Sequence, residues 1–289
     1  MPDDDFRLVS ACIRRDRDED IQARVTSTNL GLKGPKLKEM EMKILVFDDN
    51  QTHREAAKAQ LKEHDLTVVG TYDEAKAELL PKTNDDRAEA EFLPGLLETS
   101  GLGQGFEPWM KGVDDEYVNT DEQRDLYWKL LNDARKMATT YPDFDVVLTD
   151  LLVPASSQAQ GGIGLQFVGK EMPVGIFIGL LAAVRGRAKY VAVFTESNHH
   201  HNPASACFDT FNASSSPAPF TVEESKFMLC NTEVWIATFD PNDMSNRVDL
   251  FEDCPYDMSP NSWKKKKIEE GKVVITKDWL SLLNHLTKE

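Results

Sequence analysis

The alternation of apolar and polar positions after residue 42 predicts strands and helices in turn. Apolar and β-branched runs at residues 43–48 and 66–71 are typical of short buried strands. Helix-capping patterns follow in both cases, Thr52-His-Arg-Glu55 and Thr71-Tyr-Asp-Glu74, with small and apolar residues at helical spacing beyond them. Strand, helix, strand and helix in this order favour a parallel sheet with right-handed crossovers, and hence an α/β fold.

Three more strands are predicted further along the chain, at residues 146–149, 190–195 and 226–230. A helix over residues 174–184 lies between the first two of them. It is apolar nearly all round, so we expect it to be well buried, with Gly186 just beyond its end.

A long interruption, residues 81–143, separates the second helix from the third strand. The capping pattern Thr120-Asp-Glu-Gln123 predicts a helix over about residues 121–138, packed by Leu126, Leu130 and Ala134. We therefore expect a large helical insertion on the outside of the sheet. A second segment, residues 240–271, is predicted to be irregular, before a β-prone stretch and a final helix with an apolar face.

Composition narrows the class of protein. The chain has 289 residues, 40% of them hydrophobic, and a net charge of −16. That acidity argues against nucleic-acid binding, which needs a basic face. The longest apolar run is too short to span a bilayer, so we expect no membrane segment and a cytoplasmic location. Residues 1–41 are charge-rich and predict a partly disordered extension, with the folded domain at residues 42–289.

Acidic residues stand at the ends of two predicted strands. Asp48 and Asp49 close the first strand, and Asp150 closes the third. Ligands of open α/β sheets bind beyond the carboxyl ends of the parallel strands. These three carboxylates are therefore expected at the edge of the sheet where a ligand would bind.

With these residues in place, the chain resembles the receiver domains of two-component response regulators. Asp48-Asp49 is similar to the acidic pair that helps hold Mg²⁺ in that family. Asp150, in Asp150-Leu-Leu-Val-Pro154, resembles the phosphoacceptor, and Thr195 resembles the hydroxyl residue that hydrogen-bonds the phosphoryl group. The resemblance implies a flavodoxin-like, doubly wound sheet of five parallel strands in the order 2-1-3-4-5.

A Mg²⁺ site agrees with the charges. Three converging carboxylates repel one another unless a divalent cation neutralises them, and Mg²⁺ prefers oxygen ligands. We therefore expect the cation at Asp48, Asp49 and Asp150.

Two departures from the family pattern predict a divergent or pseudo-receiver that binds a cation but is phosphorylated poorly. The family carries a lysine at the end of the fifth strand, where this chain has Leu229-Cys230-Asn231. Glu196, directly after Thr195, adds a carboxylate beside the expected phosphoryl group, which is unfavourable.

The run Asn198-His199-His200-His201 follows in the loop over the same strand ends. One interpretation is a polar loop in which a histidine caps the next helix. In the other, His199 or His200 turns inward, replacing the lysine as a cation or forming a transition-metal site. Both interpretations stay open at this point.

Three functions are compatible with these observations. The first is a regulatory module of a phosphorelay, more a regulator than an enzyme, which acts through a protein partner such as a histidine kinase or a downstream protein; homodimerisation stays open. The second is a phosphatase of haloacid-dehalogenase type with Asp48 as nucleophile, since Asp48-Asp-Asn-Gln-Thr52 resembles its Asp-x-Asp-x-Thr motif. The third is a structural interaction protein with a vestigial acidic site.

Overall fold

The computed structural model describes the larger of two compact units into which the chain divides, residues 41–289, with gaps. The predicted extension at residues 1–41 lies outside the described residues except for Glu41 and stays a prediction. The described ranges are residues 41–110, 119–156, 162–197, 202–213, 216–231, 233–250 and 260–288.

A six-stranded sheet forms the centre of the unit. Its strands in chain order are β1 (Lys43–Phe47), β2 (Asp65–Val69), β3 (Val146–Asp150), β4 (Tyr190–Phe194), β5 (Phe220–Val222) and β6 (Ser225–Cys230). Neighbours in space follow the order β5-β6-β4-β3-β1-β2. β1, β2, β3, β4 and β6 are mutually parallel, so their carboxyl ends share one edge.

The sixth strand corrects the prediction of a purely parallel sheet. β5 pairs with β6 in the antiparallel sense and makes the sheet mixed. The hairpin between them turns at Glu223, which has a φ of +52°. Asparagine and glycine are the usual residues in such turns, so the sequence carried no signal for this hairpin.

Helices cover both faces of the sheet. The longer helices of the described residues are, in chain order, α1 (Gln51–Gln60), α2 (Tyr72–Leu79), α3 (Leu93–Ser100), α4 (Asp121–Met137), α5 (Gly175–Val184), α6 (Pro260–Glu269) and α7 (Trp279–Thr287). A short helix, Pro203–Ala206, precedes β5. α1 and α7 pack on the face that carries Ile44 and Val46. α2 and α5 pack on the opposite face, which carries Leu45 and Phe47. The result is a three-layer α/β unit with a core on each side of the sheet.

A second, three-stranded antiparallel sheet follows β6. It contains β7 (Ile236–Asp240), β8 (Asp243–Arg247) and β9 (Val274–Lys277), in the spatial order β8-β7-β9. β8 and β9 both contact α1. The prediction that residues 240–271 are irregular is therefore wrong where they form β8 and α6.

The insertion at residues 81–143 is helical, as predicted, and has a hydrophobic core of its own. Its first part contains a helical turn (Asp85–Arg87), a π-helical segment (Ala88–Phe92) and α3. A short antiparallel ribbon of Lys82–Thr83 with Thr139–Thr140 closes its base. α4 starts at the predicted capping box of Thr120 and Gln123.

The packed face of α4 differs from the predicted one. Leu131, Ala134 and Ala138 are buried, whereas Leu126 and Leu130 are only half-buried. Ala134 is thus buried as predicted, whereas the rest of the buried face consists of Leu131 and Ala138, in one cluster with Leu93 and Leu97 of α3.

α5 is more exposed than its apolar sequence predicts. Ile178 and Ala182 are buried, but Phe177 is 59% exposed and Val184 is 51% exposed. Gly186 follows the helix end without a positive φ, and a Cβ there would lie 3.0 Å from the Ala182 carbonyl oxygen, so close packing explains the glycine. Among the described residues, no helix is both long and apolar enough to cross a membrane.

We predict that Leu131→Asp unfolds the insertion and leaves the main sheet intact. Leu131 is 3% exposed, and placing a carboxylate there should cost about 3 kcal/mol or more. Hydrogen exchange should show loss of amide protection in α3 and α4 but not in β1. Asn132→Asp, at the exposed next position, is the control. Unchanged protection of α4 in Leu131→Asp would contradict the packing described.

Candidate functional site

The three acidic residues predicted from strand ends meet at one edge of the main sheet. Asp48 and Asp49 follow β1, and Asp150 ends the adjacent strand β3. One carboxylate oxygen from each lies within 4.8 Å of the others. Asp48 is fully buried, whereas 13% of the Asp150 side chain is accessible. Asp150 is thus the buried carboxylate that solvent can reach.

The loop after β1 is fixed by its own polar contacts. The Asn50 backbone N–H donates to Asp48 Oδ1 at 2.9 Å, and the Asn50 side chain caps α1. The cap predicted at Thr52 is therefore wrong, because the helix starts one residue before it. Arg54 Nη1 donates to the carbonyl oxygens of Asp48 at 2.8 Å and Asp49 at 2.6 Å. Arg54, for which the sequence pattern predicts no role, therefore anchors the acidic loop.

A glycine makes room beside Asp150. The Gly175 N–H donates to the Leu151 carbonyl oxygen at 3.0 Å, which draws the start of α5 onto the end of β3. A Cβ on Gly175 would lie 1.6 Å from the Asp150 carbonyl oxygen. Only glycine permits this approach, so Gly175 sets the backbone at Asp150.

A buried lysine completes the cluster and corrects the expectation that none is present. Lys277 Nζ lies 2.6 Å from Asp48 Oδ2 and 2.8 Å from Asp150 Oδ1, and its side chain is fully buried. It ends β9 in the second sheet and not the fifth parallel strand, where the family pattern has its lysine. The sequence did hold a signal, since Val274-Ile-Thr-Lys277 is another β-prone run that ends in a charged residue before a helix.

The four charges perturb one another. Burial raises the pKa of Asp150 to about 6, with a further contribution from Asp48, although Lys277 opposes the shift. Burial, followed by the neighbouring charge of Asp48, also raises the pKa of Asp49. Burial alone would lower the pKa of Lys277, but the charges of Asp150 and Asp48 outweigh it and raise that pKa above its ordinary value. The ammonium therefore stays charged, and the carboxylates retain excess negative charge.

Thr195 follows β4 at the same edge. Its neighbour Phe194 is paired in register with Asp150, and Thr195 itself is buried. The Thr195 hydroxyl accepts a hydrogen bond from the Ser197 N–H at 3.0 Å. A hydroxyl that accepts in this way keeps its own proton to donate to a ligand.

Glu196 has a partner that sequence analysis missed. Its carboxylate lies 3.4 Å from Nε2 of His53, a buried residue of α1. This contact holds the pKa of Glu196 below its ordinary value, although partial burial opposes it. Glu196 thus has His53 as a neighbour, and its predicted repulsion of a phosphoryl group stays a prediction.

The histidine loop is not described. Asn198, His199 and His200 lie outside the described residues, so the capping and transition-metal interpretations both stay predictions.

The residues present fit a hard divalent cation. The cluster offers carboxylate oxygens within bridging distance, and Mg²⁺ prefers one or two carboxylates together with waters. Burial is the main cause of the raised pKa values of Asp49 and Asp150, and the charge of Asp48 adds to it, so a bound divalent cation would stabilise the ionised carboxylates. Asp48, Asp49 and Asp150 are the residues that would hold it.

No protein-family model, curated protein or solved structure matches the chain. Any assignment of function therefore depends on the geometry of this site.

We predict that Gly175→Ala destabilises the protein by about 3 kcal/mol or more, because the added Cβ meets rigid backbone at Asp150. The control is Gly95→Ala in α3, where a Cβ meets nothing within 4 Å. That change should stabilise by about 0.5–1 kcal/mol. Urea denaturation of both variants checks the pair. Equal stabilities would contradict the close approach.

We predict that Asp150→Asn raises the free energy of unfolding at pH 7 by about 1–3 kcal/mol, because the pKa of Asp150 is raised to about 6. A carboxyl pKa above its unfolded value means that ionisation weakens the folded state. Through this group the wild type loses stability as the pH rises from about 4 to about 6, and the variant lacks that loss. Lys277 keeps Asp48 as its partner in the variant.

Chemical denaturation across this pH range measures the effect. Asp125→Asn, at an exposed position of α4, is the control and should change little. A less stable Asp150→Asn at pH 7 would show that the carboxylate stabilises the fold, against this prediction.

Proposed function

We propose that this chain is a receiver-like signalling module in which Asp150 accepts a phosphoryl group beside a divalent cation held by Asp48, Asp49 and Asp150. The strand order of the main sheet supports a flavodoxin-like arrangement of its parallel strands. The proposed module acts in the cytoplasm through a protein partner, either a kinase that supplies the phosphoryl group or a protein that senses it.

The contact of Lys277 with Asp48 and Asp150 is the observation that carries this proposal. A buried ammonium beside an accessible carboxylate is suited to pair with a phosphoryl oxygen once Asp150 is modified. The hypothesis of a pseudo-receiver rested on a missing lysine and on the added carboxylate of Glu196, and Lys277 weakens the first of these two reasons. Thr195, at the same strand ends, supplies a hydroxyl donor on the neighbouring strand.

In the proposed step, an Asp150 carboxylate oxygen attacks the phosphorus of an acyl phosphate. A new O–P bond forms, the P–O bond to the donor breaks, and the donor leaves as a carboxylate with the bonding electrons. A divalent cation supplies charge neutralisation for this attack when bound. Lys277 and Thr195 then hold phosphoryl oxygens, and Arg54 keeps the acidic loop in place.

The phosphatase hypothesis is less well supported. Its nucleophile would be Asp48, which is fully buried. Both Asp48 oxygens are engaged, Oδ1 by the Asn50 N–H and Oδ2 by Lys277. A buried carboxylate whose two oxygens both accept hydrogen bonds is a poor nucleophile. The Asp150 side chain, in contrast, is partly accessible to solvent.

We predict that acetyl phosphate with Mg²⁺ adds one phosphoryl group to the wild-type protein, as seen by intact-mass measurement. Asp150→Asn should add none, and EDTA should abolish the addition. Lys277→Met should reduce the phosphorylated fraction at equilibrium by about one to two decades, since a charge-assisted hydrogen bond is worth about 1.5–3 kcal/mol. Lys272→Met, at an exposed lysine five positions before Lys277, is the matched control.

Calorimetric titration with Mg²⁺ separates the alternatives. Binding to the wild type without phosphorylation would support a phosphorylation-independent module. Absence of both would support the vestigial site of an interaction protein. Phosphorylation that persists in Asp150→Asn would refute Asp150 as the acceptor.

A further inference from the structure

Gln60, the last residue of α1, joins the two sides of the junction that carries Lys277. Its side-chain Nε2 donates to the Lys277 carbonyl oxygen at 3.1 Å. Its Oε1 accepts from the Trp279 N–H at 2.7 Å. Gln60 is buried, so these hydrogen bonds are shielded from water. One amide thus binds the last residue of β9 and the first residue of α7.

The junction depends on such contacts because β9 lies outside the main sheet. β9 is an edge strand of the second sheet and pairs only with β7 among the described strands. The carboxylates of Asp48 and Asp150 belong to the main sheet. No backbone ladder between described strands therefore fixes the distance from Lys277 to its partners, and α1 lies between the two sheets.

His53 makes a second set of contacts about two helical turns earlier on the same face of α1. Its Nδ1 lies 2.9 Å from the Thr276 hydroxyl, and its carbonyl oxygen accepts from Trp279 Nε1 at 2.9 Å. His53 and Gln60 together hold residues 276–279. Of these two residues, Gln60 is the one that bonds the backbone of Lys277.

We propose that Gln60 is a positioning residue for Lys277: its amide fixes the β9–α7 junction and so holds the ammonium between Asp48 and Asp150. The role of that ammonium rests on the proposed function. The placement of Lys277 by Gln60 does not, and it can be measured without phosphorylation or metal.

The test is the rate at which an N-hydroxysuccinimide ester labels Lys277 in the native full-length chain, measured by mass spectrometry relative to exposed Lys272. The Lys277 side chain is 0% exposed, so labelling of the wild type should be slow. Gln60→Met, which keeps the volume and removes the amide, should speed it about tenfold or more, because unpaired buried polar groups favour local opening.

Two controls separate positioning from general loss of stability. Gln51→Met makes the same substitution at the exposed start of α1 and should label at the wild-type rate. Leu79→Ala removes core volume on the opposite face of the sheet. Labelling of Lys277 in Gln60→Met no faster than in Gln51→Met, or no faster than in Leu79→Ala at matched stability, would overturn the proposal.

A milder variant keeps the test decisive if Gln60→Met does not fold. Gln60→Asn retains the amide but is too short to reach both sides of the junction, and it should give an intermediate labelling rate. Wild-type labelling kinetics in Gln60→Asn would overturn the proposal.

The functional arm is a double-mutant cycle on phosphorylation. Gln60→Met should lower the phosphorylated fraction in the wild-type background and have no further effect in Lys277→Met. If Gln60→Met speeds the labelling of Lys277 but the wild type is never phosphorylated, the positioning role is upheld and the proposed function is refuted. If Lys277 is labelled as slowly in Gln60→Met as in the wild type, and the wild type is readily phosphorylated, the proposed function is upheld and the positioning role is refuted.

Discussion

The ion pairs of Lys277 with Asp48 and Asp150 join two sheets that share no backbone ladder among the described strands. Burying an ammonium is costly, and only close carboxylates offset that cost. The carboxylates come from the main sheet and the ammonium from the antiparallel one. The docking of the second sheet on α1 therefore depends on the electrostatics of the site, because the buried ammonium needs a carboxylate partner from the main sheet.

Most of the main sheet could be predicted because its signals are local. Buried parallel strands appear as continuous apolar runs, and the capping boxes at Thr71 and Thr120 marked two helix starts correctly. The carboxylates at Asp48, Asp49 and Asp150 were found for the same reason, since a charged residue directly after a strand is visible in sequence. β5 was missed because Glu223 occupies a turn position that usually carries glycine or asparagine.

The rest of the site depends on contacts between distant residues. Nothing near His53 or Gln60 in the sequence shows that they face β9, because that contact requires the second sheet to fold onto α1. Lys277 could not be predicted from the family pattern, which has its lysine at the end of the strand that corresponds to β6. The exposed stripe of α5 was mispredicted since an apolar composition does not reveal how many neighbours a helix has. The hydrophobic periodicity of a segment indicates its own secondary structure. Which other segments it packs against depends on residues that are distant in the sequence.

The position of Lys277 along the chain has a consequence for biosynthesis. A ribosome releases β1, α1 and β3 well before the segment that contains β9, and domains begin to fold as they emerge. The nascent core therefore carries Asp48 and Asp150 without their ammonium partner, and the excess negative charge opposes closure of that edge. Lys277 offsets this excess negative charge once β9 has been synthesised and has packed against α1. The charge balance at this edge of the main sheet therefore depends on a strand that lies far along the chain from both carboxylates.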